Sequence, residues 1–130
     1  MIIYRLFSKL LDASLIKKFR TMNHLINNIE CNAKIPNDLR FAHSGGTIIG
    51  SGVKLGKGVV IGQNVTLGWK NGFPTIEDNV RIYANCTIVG GIIVGENSII
   101  GAGSCVDKNI PPNSMVYPKQ ELIIKCMKLK

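Results

Sequence analysis

Two histidines occur in the chain, and one of them, His43, lies in a stretch where an imidazole could do chemistry: FAHSGGTIIG, residues 41–50. Small and apolar residues surround it, and no acid or cysteine is adjacent. Free imidazole titrates at about pH 6.5, so it can take a proton from an alcohol at neutral pH. It can also ligate a metal or pack in a core. A metal needs companions. Cys31, Cys86, Cys105 and Cys126 are scattered and form no CxxC pair. They read as buried small apolar residues in a reducing cytoplasm, not as a disulfide frame or a zinc site. His24 falls in a segment with helical patterning and reads as a surface or packing residue. The choice among the three roles for His43 depends on the elements that carry it.

Those elements repeat every six residues. An aliphatic recurs at Ile49, Leu55, Ile61 and Leu67, then at Ile76, Ile82, Ile88, Val94, Ile100 and Val106. Four places after these come small or apolar residues, among them Val53, Val59, Val65, Val80, Cys86, Ile92, Ser98, Ser104 and Ile110. Three places after them stand Gly52, Gly58, Asn64, Asn79, Asn85, Gly91, Asn97, Gly103 and Asn109, with Lys70 alone departing. Gly and Asn number 14 and 12 of 130 residues, so this column is not chance. Both tolerate left-handed backbone angles, which predicts one left-handed residue at each corner. Six fits neither a helix nor a meander of hairpins. Three corners close a triangle, so one coil takes 18 residues. Ile76 then lies under Val94, Ile82 under Ile100 and Asn79 under Asn97, one strand spacing of about 4.8 Å apart. The expected fold class is mainly β: a parallel β-helix of hexapeptide repeats over residues 28–118.

The pattern breaks twice. Phe41 to Ile49 is a step of eight, and His43 is inside it. Leu67 to Ile76 is a step of nine, and the insert reads GWKNGFP. Interruptions of a rigid scaffold are where functional groups tend to sit. Residues 1–27 show helical spacing, with Ile3, Leu6, Phe7, Leu10, Leu11 and Leu15 among the apolar positions. They read as a helical cap or partner segment, and residues 119–130 as a basic tail. Of the net charge of +8, residues 1–27 carry +4 and residues 119–130 carry +3. The basic character therefore belongs to the ends, which argues against a nucleic-acid face and leaves peripheral membrane contact open. There is no run of about 18 apolar residues and no leader-type N-terminus, so a cytoplasmic setting is expected.

The stretch HSGGTIIGSGVKLGKGVVIGQNVTLG, residues 43–68, resembles serine O-acetyltransferases of the hexapeptide-repeat family. PTIEDNVRIYANCTIVGGIIVGENSIIGAGSCV and IPPNS continue the likeness through residue 114. The resemblance implies a left-handed helix, a homotrimer with its site between neighbouring solenoids, and acetyl-CoA as co-substrate without a metal. It makes His43 the general base that deprotonates an acceptor hydroxyl for direct attack on the thioester. It implies that Asn28 stands where an acid orients the imidazole. Ala84 and Ala102 would contact the coenzyme at corners, and Lys108 would meet one of its phosphates. Related solenoids that bind zinc use three histidines, and this chain has two.

Departures from that pattern bear on the acceptor. Ala42 replaces the acid that holds an amino-acid substrate, and Phe73 replaces a second histidine. An apolar site favours an uncharged acceptor over a zwitterion. The expectation is an O-acetyltransferase acting on a sugar of a surface polysaccharide or its precursor, with Trp69 and Phe73 as aromatic faces for the ring. A serine O-acetyltransferase and a non-catalytic trimeric scaffold are the alternatives.

Overall fold

A computed structural model describes residues 28–29, 33–43 and 45–119. The expected helical segment 1–27, the tail beyond Lys119, His24, Cys31 and Cys126 lie outside the described residues, as does the side chain of Asn28. What is described is built from short strands, most of two residues, because the chain must bend at every sixth position.

Thirteen strands follow in chain order: β1 Asn28–Ile29, β2 Arg40–Phe41, β3 Ile48–Ile49, β4 Lys54–Leu55, β5 Val60–Ile61, β6 Thr66–Gly68, β7 Thr75–Ile76, β8 Arg81–Ile82, β9 Thr87–Val89, β10 Ile93–Val94, β11 Ile99–Ile100, β12 Cys105–Val106 and β13 Met115–Val116. All pairings are parallel, and they make three faces. The first face is β1-β3-β6-β9-β12, the second β4-β7-β10, and the third β2-β5-β8-β11-β13. Isolated bridges, Lys34 with Lys54 and Val94 with Ile110, extend the second face at both ends. The result is the parallel β-helix expected from the hexads, and it matches the left-handed form that the resemblance implies.

Alternation along each strand sorts the side chains. In β8, β10 and β12 the first residue is exposed and the second buried. The inward set is the aliphatic ladder: Ile49, Ile61, Leu67, Ile76, Ile88, Val94 and Ile100 are all at most 1% exposed. The corner residues four places on, from Val53 to Ile110, complete the core. The registers Val94↔Ile76 and Ile100↔Ile82 are those the period predicts. Two buried serines at corner positions find partners. Ser98 Oγ donates to Pro111 O at 3.0 Å, and Ser104 Oγ donates to Gly101 O. A buried hydroxyl left unpaired would be costly.

Both breaks are absorbed outside the prism. Phe41 pairs with Ile61 and Leu67 with Ile88, so coils of 20 and 21 residues stack as well as those of 18. The extra residues bulge at corners: 42–43 and 45–47 between the third and first faces, and 69–74 between the first and second.

The left-handed column is partly as expected. Asn64, Asn79, Asn85, Asn97, Gly58 and Gly103 have positive φ, between 54° and 74°. Gly52, Gly91 and Asn109 do not, and other causes select them. A Cβ on Gly52 would lie 2.7 Å from Phe73 Cε2 and 2.8 Å from Phe73 Cγ, so the ring occupies that space. Gly91 lies beneath the insert, against Asn71 O and Gly72 Cα. Asn109 Oδ1 accepts the Ile93 N–H at 2.9 Å. The stacked Asn side chains also bond to one another. Asn79 Nδ2 donates to Asn97 Oδ1 at 3.4 Å, and Asn97 Nδ2 donates to Asn113 Oδ1 at 3.1 Å.

Candidate active site

His43 follows β2 at the corner between the third and first faces. The backbone on either side of it is anchored. Ala42 N–H donates to Ile61 O at 2.8 Å on entry, and Gly45 O accepts Asn64 N–H at 3.0 Å on exit. The return to β3 needs Gly45 and Gly46, with φ of 136° and 67°. Gly46 is further constrained because a Cβ there would collide with Asn64 Oδ1. Thr47, buried next to β3, closes the corner by donating to Gly62 O at 3.1 Å. The two extra residues thus turn His43 outward on a fixed corner, and its side chain is exposed.

The imidazole opens onto a cleft of about 420 Å³. Ala42 and His43 supply its upper wall, Val60, Gly62 and Gln63 the next rung, and Arg81, Ile82, Tyr83 and Ala84 the rung below. Of the residues singled out from sequence, the fold therefore brings together His43, Ala42 and Ala84. Ala102 continues the same corner one rung on, where Gly103 N–H donates to Ala84 O at 3.0 Å. The backbone of Asn28 pairs with Ile48 at the head of the first face.

Trp69, Phe73 and Lys108 belong to the other corner, between the first and second faces, and do not line the cleft. Trp69 is 65% exposed. Phe73 is half-buried and packs on the core, its ring over Gly50 and Gly52, so in its own chain it serves packing. Lys108 is exposed, next to Asp107. Asp107 is held by the insert: Lys70 Nζ donates to its Oδ2 at 2.9 Å. That hydrogen bond and the lysine's charge keep the Asp107 carboxyl below the usual carboxylate range and raise Lys70. The cysteines divide. Cys86 is in the core, where burial raises its pKa, whereas Cys105 is exposed on β12 and corrects the expectation that it would be buried.

Arg81, Gln63 and Tyr83 were not legible as site residues. Their signal is positional: Arg81 and Tyr83 flank the ladder residue Ile82, and the pairing Arg40↔Val60↔Arg81 stacks them under the His43 corner. Arg81 adds one charged residue to a lining that is otherwise mostly small and apolar. Among the described residues no three His, Cys, Asp or Glu side chains cluster as metal ligands do.

Residues 73–108 match the family described as bacterial transferase hexapeptide (six repeats), and residues 42–68 match the hexapeptide repeat of succinyl-transferase. The chain carries hexapeptide repeats of the kind these two families describe. This hexapeptide-repeat chain is 41% identical over 102 residues to a serine acetyltransferase of Buchnera aphidicola, covering 74% of itself and 39% of that relative. It is 53% identical over 49 residues to the galactoside O-acetyltransferase of Escherichia coli, which covers 34% of this chain and 24% of the relative. Among solved structures it superposes on the serine acetyltransferase of Brucella abortus in complex with coenzyme A. There the TM-score is 0.66 at 33% identity, over 71% of this chain and 40% of that one. The chain thus spans about two fifths of the serine acetyltransferases it matches.

Proposed function

We propose that the chain is an acetyl-CoA-dependent O-acetyltransferase with His43 as its general base. The observation that carries this is the exposed imidazole on an anchored corner, open to a cleft that runs on to Ala84. The comparisons with acetyltransferases support the same reading.

The chemistry follows from that placement. The acceptor hydroxyl donates its hydrogen bond to an imidazole nitrogen of His43. As the oxygen attacks the thioester carbonyl, the proton passes to the imidazole. The tetrahedral adduct collapses, the C–S bond breaks, and the same proton is returned to the departing coenzyme thiolate. No acyl-enzyme is formed. The coenzyme would lie along the corner of Ala84 and Ala102, whose small side chains let a ligand approach the backbone. In a homotrimer, Trp69 and Lys108 of a neighbouring copy would face this groove from their own corner.

Of the two acceptor classes expected from sequence, serine is better supported than a sugar. The serine acetyltransferase likeness spans 74% of the chain, against 34% for the galactoside enzyme. The test is to incubate the purified full chain with acetyl-CoA and either L-serine or a galactoside, and to follow free thiol. Faster release with serine is expected. Release with the galactoside alone would restore the sugar reading, and no release with either acceptor would favour a scaffold.

A further inference from the structure

Among the described residues that line the cleft there is one cation and no anion. Arg81 is the first residue of β8, exposed on the third face, and it lines the same cleft as His43. Among the described residues the one ion pair is Lys70–Asp107, far from this cleft, so Arg81 has no carboxylate partner there. The outward positions of the third face are Arg40, Val60, Arg81, Ile99 and Met115. None is acidic, and Arg40 adds a second positive charge two rungs from Arg81, about 10 Å along the axis. The base stands on the upper rung and Arg81 two rungs below. Between them lie Gly62, which has no side chain, and Gln63. A small molecule bridging that gap would set its hydroxyl on His43 and its other end on the guanidinium.

We propose that Arg81 binds an oxyanion of the acceptor, so that the substrates of this site are hydroxylated acids recognised by their carboxylate or phosphate and not by an ammonium group. An arginine fork matches a carboxylate or phosphate with two parallel hydrogen bonds. Among the described residues no Asp or Glu lines the cleft to pair with an ammonium, and Ala42 beside the base has no polar side chain. This inference rests on the acetyl-transfer reading and narrows its substrate class. The phosphates of the coenzyme are the competing source of the oxyanion.

Three acceptors that share a primary hydroxyl separate these terms: L-serine, glycerate, which lacks the ammonium, and serinamide, which lacks the carboxylate. With acetyl-CoA and the full chain, glycerate should be acetylated with kcat/KM within about tenfold of serine. Serinamide should fall about 10–100-fold below both, the usual worth of a charge-assisted hydrogen bond. Arg81→Gln should bring serine and glycerate down to the serinamide level, and Arg81→Lys should recover part of the loss. KM for acetyl-CoA and the oligomeric state should not change. Equal rates for serine and serinamide in the unaltered chain would overturn the inference. So would Arg81→Gln raising KM for acetyl-CoA alone, which assigns the oxyanion to the coenzyme. A shift in oligomeric state would make Arg81 an interface residue, also against it. Calorimetric titration of glycerate and serinamide separates this inference from the reading beneath it. Glycerate binding lost in Arg81→Gln, with no thiol release, sinks the acetyl-transfer reading and keeps the anion site. Thiol release without discrimination does the reverse. Absence of both binding and release overturns the inference.

Discussion

Phe73 and Gly52 offer a quantitative test of how the scaffold excludes side chains. The backbone at Gly52 does not require glycine, since its φ is not positive. All three atoms nearest a Cβ built there belong to the Phe73 ring, two of them at 2.7 and 2.8 Å. Gly52→Ala must therefore push the ring out of place, and overpacking of this kind costs about 1–3 kcal/mol. Phe73→Ala removes a half-buried ring, which should cost less than the ~3–5 kcal/mol of a fully buried one. In the Phe73→Ala background the obstacle is gone. Adding Gly52→Ala should then be neutral or stabilise by about 0.4–1 kcal/mol, because alanine narrows the unfolded ensemble. The double-mutant cycle should give a coupling on the order of 2 kcal/mol. Urea unfolding followed by circular dichroism, at one fixed protein concentration, measures all four corners of the cycle. Equal destabilisation by Gly52→Ala in both backgrounds would show that the ring is not what selects glycine.

Three further outcomes follow from the corners and the insert. Asn97→Ala places an alanine at φ 58° and cuts the Asn79–Asn97–Asn113 ladder, so it should lose about 1–2 kcal/mol in thermal unfolding, whereas Asn97→Gly should recover most of the backbone share. Asp107 should titrate below an ordinary aspartate in an NMR pH series and move back towards it in Lys70→Met. Its folded value is depressed, so its contribution is complete above the unfolded value, near pH ~4, and is lost as pH falls through the folded one. In a chain carrying Ser at positions 31 and 126, a maleimide should label Cys105 in the native state and reach Cys86 only on unfolding; rapid native labelling at both would contradict the burial of Cys86.

The period of six revealed the prism before any coordinates, because a solenoid repeats one packing decision at every rung. The ladder from Ile49 to Val106 and its stacking follow directly from that repetition. The corner column was less legible. Gly52, Gly91 and Asn109 fit the Gly-or-Asn pattern yet are selected by a ring, an overlying loop and a side-chain hydrogen bond. Asn71 and Asn113 are left-handed outside that column. His43 stood out because it interrupts the repeat. Arg81 did not, since it occupies an ordinary outward position whose meaning appears only when β2, β5 and β8 are stacked. Phe73 looked like a ligand face because an aromatic in an insert has no ladder role. Its contacts with Gly50 and Gly52 become visible once the insert folds back on the first-to-second corner.

The central claim is that the imidazole of His43 moves the proton of the acceptor hydroxyl. The most direct measurement is kcat for thiol release from acetyl-CoA by His43→Ala, at saturating serine and with coenzyme binding checked separately. A loss of about 10²–10⁴-fold with coenzyme affinity retained is predicted, the range in which a general base contributes. Turnover by His43→Ala at the rate of the unaltered chain would contradict the account.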